Sequence, residues 1–212
     1  GQIEQSVLFP YPAIGEEEKE TLSAVVESID SMLESRGEDF RAWDAKGEMP
    51  AEFIEELRDF GMFGLIIPEE HGGMAFGNVA YSRTLQQVAR HDASVAVTIG
   101  AHSSIGMRGL KLFGTDEQKA KYYEKLATGE LIAAFCLTEP GSGSDLAALS
   151  MAAVSDGDDY IINGTKIWTS YAQHADMMFA LVRTSTEGKR QEGISFLLID
   201  MTAPGITVKP II

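Results

Sequence analysis

The stretch Ile132-Ala133-Ala134-Phe135-Cys136-Leu137-Thr138-Glu139-Pro140 marks a change in the periodicity of the sequence. Its first six residues form a short apolar run of the kind that makes a buried strand, and Pro140 ends any strand pairing. Before this stretch the apolar residues recur at helical spacing, and after it they form short strand-like runs. The sequence therefore predicts α+β architecture with a domain boundary near Gly129: an all-helical domain over residues 1–129, then a β domain over residues 130–212.

The helical half carries five predicted helices. The first follows the acidic turn Glu16–Glu18, the second opens at Pro50 and ends by Gly61, and the third spans about 78–91. Asp92 is predicted to cap a fourth helix that runs to about Phe113. Thr115, with Gln118 three residues later, is a capping-box signature for a fifth helix that reaches about Thr128.

The β half carries four predicted strands besides a hairpin signal. Asn163-Gly164 lies between two apolar runs, 160–162 and 166–168, which favours a two-residue hairpin there. The other strand candidates are 132–137, 177–182, 194–199 and 206–208. We expect a barrel-like or sandwich-like β domain that is unfinished where residues 206–212 end, with apolar strand surface exposed.

Composition excludes several classes of protein. The 212 residues carry 32 acidic and 17 basic side chains, a formal net charge of -15, which disfavours nucleic-acid binding. We expect no transmembrane segment, and no signal peptide because Gly1–Ser6 lack a basic region leading into an apolar stretch. The single cysteine, Cys136, cannot form an internal disulfide and indicates a reducing compartment. The four histidines show no zinc-ligand spacing, so no metal is expected.

The segment Cys136 to Asp145 is the strongest candidate for function. Gly141 and Gly143 would let the backbone approach a bulky ligand, and the hydroxyls of Thr138, Ser142 and Ser144 are neutral donors suited to a heterocycle or a pyrophosphate. A polar surface turn explains the same pattern equally well. No Walker A, GxGxxG or GxSxG motif occurs here. Likewise, Trp168 fits core packing at a strand end, and Cys136 fits a buried small hydrophobe.

Several motifs in the same order resemble acyl-CoA dehydrogenases, most closely their very-long-chain branch. They are Thr138-Glu139-Pro140 with Gly143-Ser144-Asp145, Asn163-Gly164-x-Lys166-x-Trp168, Ala175-Asp176, Pro204-Gly205-Ile206 and, upstream, Phe63-Gly64-Leu65, Pro68–Gly73 and Phe113-Gly114-Thr115. The likeness runs from about residue 50 to the end. It implies FAD-dependent α,β-dehydrogenation of fatty acyl-CoA thioesters in fatty-acid β-oxidation.

The resemblance also implies site residues. The expected FAD contacts are Phe135, Leu137, Thr138, Gly143, Ser144, Trp168, Thr169 and Ser170, and the expected substrate contacts are Ser142, Ser144, Thr98, Gly100 and Ala101. Ser170 stands where many members carry threonine. Small residues at Gly100 and Ala101 would leave a deep acyl pocket for long chains, although close helix packing also explains a glycine there.

The family's catalytic glutamate lies in a C-terminal helical domain, and nothing in this chain aligns with it. We therefore nominate no catalytic residue, assign Glu139 a structural role, and expect residues 1–212 alone to be inactive. Expected partners are an electron-transfer flavoprotein and further copies of the chain, as a homodimer or homotetramer. The expected location is the bacterial cytoplasm or, alternatively, the mitochondrial matrix. Alternatives are an acyl-CoA oxidase and a non-catalytic acyl-CoA- or flavin-binding remnant.

Overall fold

The computed structural model describes residues 13–209 and 211, which divide into two compact units that meet in sequence at Gly100 and Ala101. The expectations for Gly1–Ser6 and for the terminal residues 210 and 212 lie outside the described residues. The structure confirms the predicted order of helices followed by a sheet. No helix in this described part is both long and apolar enough to cross a membrane.

The first unit is helical. Its helices are α1 (Glu16–Leu33), α2 (Gly37–Lys46), α3 (Ala51–Asp59), α4 (Asn78–His91) and α5 (Ala93–Gly100). The helices predicted after Glu16–Glu18, from Pro50 to Gly61 and over about 78–91 are confirmed as α1, α3 and α4, with Pro50 directly before α3. Helix α2 was not predicted, because Phe40 is its only buried residue and its polar surface hides the helical period.

The predicted fourth helix is interrupted. The chain forms α5, then a π-helical segment (Ala101–Gly106), then α6 (Arg108–Phe113). The prediction of a single helix over this range was therefore wrong. Gly106, at the end of the π-helical segment, lies very close to the following strand. A Cβ there would lie 2.4 Å from the carbonyl oxygen of Ala133, so only glycine permits this approach.

Helix α7 (Asp116–Thr128) begins with the predicted capping box. The Thr115 hydroxyl accepts from the Gln118 backbone N–H, and the Gln118 side chain accepts from the Thr115 N–H. His102 of the π-helical segment is buried and uses both ring nitrogens. One lies 2.9 Å from the Leu126 carbonyl at the end of α7, and the other accepts from the Ala133 N–H at 3.1 Å. His102 thus ties the helical start of the second unit to its sheet.

The described strands form one mixed five-stranded sheet. Its strands are β1 (Ala133–Cys136), β2 (Ala152–Asp156), β3 (Asp159–Asn163), β4 (Met177–Arg183) and β5 (Ile194–Asp200). Strand β4 pairs in parallel with β1 and β2 and antiparallel with β5, while β2 and β3 form an antiparallel hairpin. The predictions for β1, β4 and β5 are confirmed.

The predicted hairpin at Asn163-Gly164 was wrong. The hairpin turns instead at Gly157, between β2 and β3, where a φ of 64° suits glycine. Gly164 leads the chain out of the sheet and fits tightly against Met151, since a Cβ there would lie 2.5 Å from the Met151 side chain. Residues 166–168 consequently form no strand. The strand expected at 206–208 is absent as well, because these residues, within the described part of the chain, pair with no strand.

Candidate active site

The segment 136–145 is a tightly bonded loop that follows β1. The Glu139 N–H donates to the Ser142 carbonyl at 2.8 Å, and the Ser142 N–H donates back to the Glu139 carbonyl at 3.1 Å. Pro140 and Gly141 form the exposed tip of this turn. The Ser142 side chain is buried and donates to the Asp145 carbonyl at 3.1 Å, whereas Ser144 is exposed. Of the two serines predicted to meet the ligand, only Ser144 faces solvent.

A buried ion pair between Glu139 and Lys166 anchors this loop. The carboxylate of Glu139 accepts from the Lys166 Nζ at 2.8 Å, from the N–H and hydroxyl of Ser150, and from the Met151 N–H. Both charged side chains are almost fully buried, with 6% of Lys166 and 3% of Glu139 exposed. Every buried oxygen of the carboxylate is thus hydrogen-bonded, which is what makes a buried charge tolerable.

These contacts decide the chemical character of Glu139. Burial alone would raise the pKa of its carboxyl, but the hydrogen bonds from Lys166, Ser150 and Met151 outweigh burial and lower the pKa to about 2. A carboxylate with such a low pKa is a poor general base at neutral pH. The structural role assigned to Glu139 is therefore supported.

Folding should depend on pH through this carboxyl. Its pKa is lower in the folded protein than the ordinary 4.5, so its stabilisation is complete above about pH 4.5 and is lost as pH falls towards 2. Over that window the wild-type protein should lose on the order of 3 kcal/mol more unfolding free energy than Glu139→Gln. Urea unfolding of both proteins from pH 6 to pH 2 measures the difference. The other carboxyls titrate in both proteins, so parallel pH profiles would contradict this assignment.

The segment 166–171, called the Trp168 segment below, begins at Lys166 and is conformationally strained. Trp168 has a φ of 59° and Tyr171 a φ of 65°, both in the left-handed region that non-glycine residues avoid at a cost of roughly 1–2 kcal/mol. The Trp168 side chain is 68% exposed in spite of its size. The core-packing interpretation of Trp168 is therefore wrong. Strained, exposed aromatic residues of this kind are typical of ligand sites.

Trp168, Thr169 and Ser170 line an open groove of about 1310 Å³ on the second unit. Cys136, Met178 and Ile199 form part of its apolar floor, and the Thr169 hydroxyl lies 3.7 Å from the Cys136 sulfur. Burial is the main cause that raises the pKa of the Cys136 thiol, with Thr169 and Lys166 acting in the opposite direction. The thiol therefore stays protonated, in agreement with a buried hydrophobic role rather than a nucleophilic one.

The other predicted FAD contacts are distributed around this segment. Thr138 is half-buried, its carbonyl accepts from the Ile167 N–H at 2.9 Å, and a Cβ on Gly143 would lie 4.0 Å from its methyl group. The groove is not lined by Phe135, Leu137, Thr138, Gly143 or Ser144, and the Phe135 ring packs edge-on against Phe196 at 5.6 Å. The structure thus brings Thr138 and Gly143 next to one another and joins them to the Trp168 segment, while Phe135 lies apart.

The predicted acyl contacts lie in helices. The Thr98 hydroxyl donates to the Ser94 carbonyl within α5, and a Cβ on Gly100 would reach ordinary contact with Leu85 and Tyr81 of α4. Ala101 is 8% exposed in the π-helical segment. Gly100 therefore has a packing neighbour, and a role of these residues in acyl binding remains a prediction.

Sequence reasoning missed two positioning contacts. One is the pairing of Lys166 with Glu139, which two charged residues inside apolar surroundings could have suggested. The other is Arg183 at the end of β4, which donates to the carbonyls of Ala147, Leu149 and Arg190 and so anchors the chain that leaves the loop 136–145, called the signature loop below. Nothing local in the sequence indicates it. Among the described residues no group of three or more histidine, cysteine, aspartate or glutamate side chains could hold a metal ion.

A buried carboxylate–lysine pair thus lies beneath a loop rich in hydroxyls, and an exposed tryptophan lies beside an open groove. Two family models match the chain. Residues 16–130 match the acyl-CoA dehydrogenase N-terminal domain and residues 134–212 match the acyl-CoA dehydrogenase middle domain. The chain belongs to the acyl-CoA dehydrogenase family.

Individual relatives show the same likeness. The chain is 39% identical over 222 residues to the human mitochondrial very long-chain specific acyl-CoA dehydrogenase, covering 99% of this chain and 33% of that protein. It spans about a third of the length of the curated relatives it matches. The structure of an acyl-CoA dehydrogenase from Geobacillus kaustophilus is similar with a TM-score of 0.81 and 32% identity, over 92% of this chain and 50% of that one. An acyl-CoA dehydrogenase complexed with FAD from Bacillus anthracis has a TM-score of 0.77 and 28% identity, over 99% and 35%.

Proposed function

We propose that this chain supplies the FAD-binding part of an enzyme that dehydrogenates fatty acyl-CoA thioesters between their α and β carbons. The observation that carries the proposal is Trp168, exposed and held in a left-handed conformation beside a groove large enough for a dinucleotide. An exposed aromatic ring offers a flat, apolar face to a flavin ring. The FAD complex of the Bacillus anthracis relative supports the choice of cofactor.

The residues present fit FAD. Trp168 would pack against the flavin ring, and the hydroxyls of Thr138, Thr169 and Ser170 would offer hydrogen bonds near it. Ser144 and the backbone at Gly143 would lie near the pyrophosphate, because an exposed glycine lets a bulky group approach the backbone. Leu137 and Phe135 remain proposed FAD contacts on the family resemblance alone, since neither lines the groove. The chemistry that FAD supplies when bound is the acceptance of a hydride.

The chain's own contribution is positioning. The low pKa of its carboxyl leaves Glu139 unsuited to take the α proton. We therefore infer that the base lies outside the residues described here. Thr98, Gly100, Ala101, Ser142 and Ser144 remain the proposed contacts with the acyl-CoA substrate, with a preference for long acyl chains. An electron-transfer flavoprotein as the acceptor, a homodimer or homotetramer, and a bacterial cytoplasmic or mitochondrial location belong to the same proposal.

Acyl-CoA-dependent reduction of an electron-accepting dye tests this function. The complete protein should reduce the dye with a long-chain acyl-CoA and form the corresponding enoyl-CoA. Turnover supported by oxygen alone would favour the acyl-CoA oxidase alternative. Binding of acyl-CoA or flavin with no product would favour the non-catalytic remnant. Absence of both binding and turnover would contradict the proposal.

A further inference from the structure

Three consecutive residues of the signature loop are bonded to two consecutive residues of the Trp168 segment. Lys166 Nζ donates to the Leu137 carbonyl at 3.0 Å and to the Glu139 carboxylate at 2.8 Å. Between them, the Ile167 N–H donates to the Thr138 carbonyl at 2.9 Å. Thr138 is therefore flanked on both sides by contacts from Lys166, and Trp168 follows two residues after that lysine.

These bonds are important for the relative position of the two segments, because neither segment is held by strand pairing at this point. Strand β1 ends at Cys136 and β3 ends at Asn163, so Thr138 and Trp168 both lie beyond the sheet. The backbone of Trp168 is strained, and a strained conformation persists only where its surroundings enforce it. The contacts of Lys166 and Ile167 are the ones that enforce it from the N-terminal side.

We propose that Lys166 and Glu139 are positioning residues that set the register of Thr138 against Trp168 and thereby shape the flavin site. The inference rests on the proposed FAD function and adds to it the device that aligns the two halves of the site. A buried ion pair is weak evidence for stability, since replacing both charges by neutral groups is often tolerated. Specific alignment is the function such a pair serves better.

The double variant Lys166→Met with Glu139→Gln separates alignment from stability. The single amide oxygen of glutamine can still accept from the Ser150 N–H and hydroxyl, which both donate to the same carboxylate oxygen, whereas the bond from the Met151 N–H is lost. Methionine fills the volume of the lysine stem without a charge. Neither residue of the double variant leaves an unpaired buried charge. The bonds to Leu137 and between the two side chains are lost, so the two segments should shift relative to each other while the sheet stays folded.

Two measurements on the complete protein decide the proposal. In the double variant the dissociation constant for FAD should rise at least about tenfold, equivalent to about 1.4 kcal/mol. Hydrogen exchange of the apoprotein in the peptide 164–171, which contains the Ile167 amide, should also become faster. Val182→Ala, which trims a fully buried side chain of β4, serves as the control for general destabilisation.

The outcomes are distinct. Positioning is supported if the double variant loses FAD affinity and shows faster local exchange, while its thermal midpoint stays closer to that of the wild type than the midpoint of Val182→Ala does. An unchanged dissociation constant, or one that changes only in step with stability as in Val182→Ala, overturns it. Wild-type protein without affinity for FAD would contradict the proposed function instead. In that case the exchange of peptide 164–171 still tests the ion pair independently of flavin: exchange in the double variant equal to that of the wild type would show that the pair does not align the two segments.

Discussion

Trp168→Gly should weaken FAD binding by about 10- to 100-fold, the effect of losing one aromatic stacking contact worth roughly 1–3 kcal/mol. The same change should leave the unfolding free energy nearly unaltered. The side chain is 68% exposed, so little packing is lost, and glycine adopts a φ of 59° without strain. Relief of that strain offsets the extra entropy glycine has in the unfolded chain. Flavin titration of the apoprotein, followed by fluorescence, measures the affinity.

Phe113→Ala is the matched control for this prediction. Phe113 is 82% exposed at the end of α6, so its removal also deletes a solvent-facing aromatic ring. FAD affinity should not change in this variant. If Trp168→Gly binds FAD as tightly as Phe113→Ala does, the tryptophan does not contact the flavin and the assignment of the groove is wrong.

Ala101→Glu should reduce kcat/KM for long-chain acyl-CoA at least about tenfold more than for short-chain acyl-CoA. A pocket contact that differs by one or a few methylenes discriminates by roughly 10- to 200-fold, and a glutamate is larger than that. Ala101 is 8% exposed in the π-helical segment, so the added carboxylate would occupy buried space and carry an uncompensated charge. Steady-state kinetics over a series of acyl-CoA chain lengths measures the change.

Val97→Glu controls for the added charge. Val97 is 58% exposed on α5, four residues before Ala101, and its replacement should leave the chain-length profile as it is in the wild type. An equal loss of activity at every chain length in Ala101→Glu would mean that the substitution disturbed the fold. The prediction of a deep acyl pocket at this position would then fail.

The helices that the sequence predicts well are those with local signals. Thr115 and Gln118 form the capping box that their spacing predicts, and Pro50 precedes α3 as expected. The π-helical segment 101–106 was not predicted, because it depends on the approach of Gly106 to the Ala133 carbonyl, a contact between residues far apart in sequence. Helical periodicity alone cannot distinguish a continuous helix from one widened by such a contact.

The hairpin error has a similar cause. Asn163-Gly164 and Gly157-Asp158 both carry a turn signal, and only the second pair forms the turn, between the paired residues Asp156 and Asp159. Residues after Gly164 leave the sheet because Lys166 and Ile167 bond to the signature loop instead of to β3. A long-range interaction overrode the local preference. This departure coincides with the candidate site, where local rules are most often broken.

For the site itself, the motif spacing predicts which segments meet but not how they are held. Thr138 and the Trp168 segment are adjacent, as the resemblance implies, yet the buried pair of Lys166 and Glu139 beneath them was not predicted. The Ser142 hydroxyl donates to the Asp145 carbonyl within its own loop, a bond that its spacing did not indicate, and its contact with the substrate stays a prediction. Side-chain burial follows from tertiary packing, which a single sequence does not display.

The central claim is that this chain forms part of an FAD site, and the flavin content of the purified complete protein tests it most directly. The protein should be yellow, and acid precipitation should release a flavin that chromatography identifies as FAD, in proportion to the protein. Release by acid would also show that the cofactor is not covalently attached. A colourless protein that gains no flavin on reconstitution, or one that releases FMN, would contradict the claim.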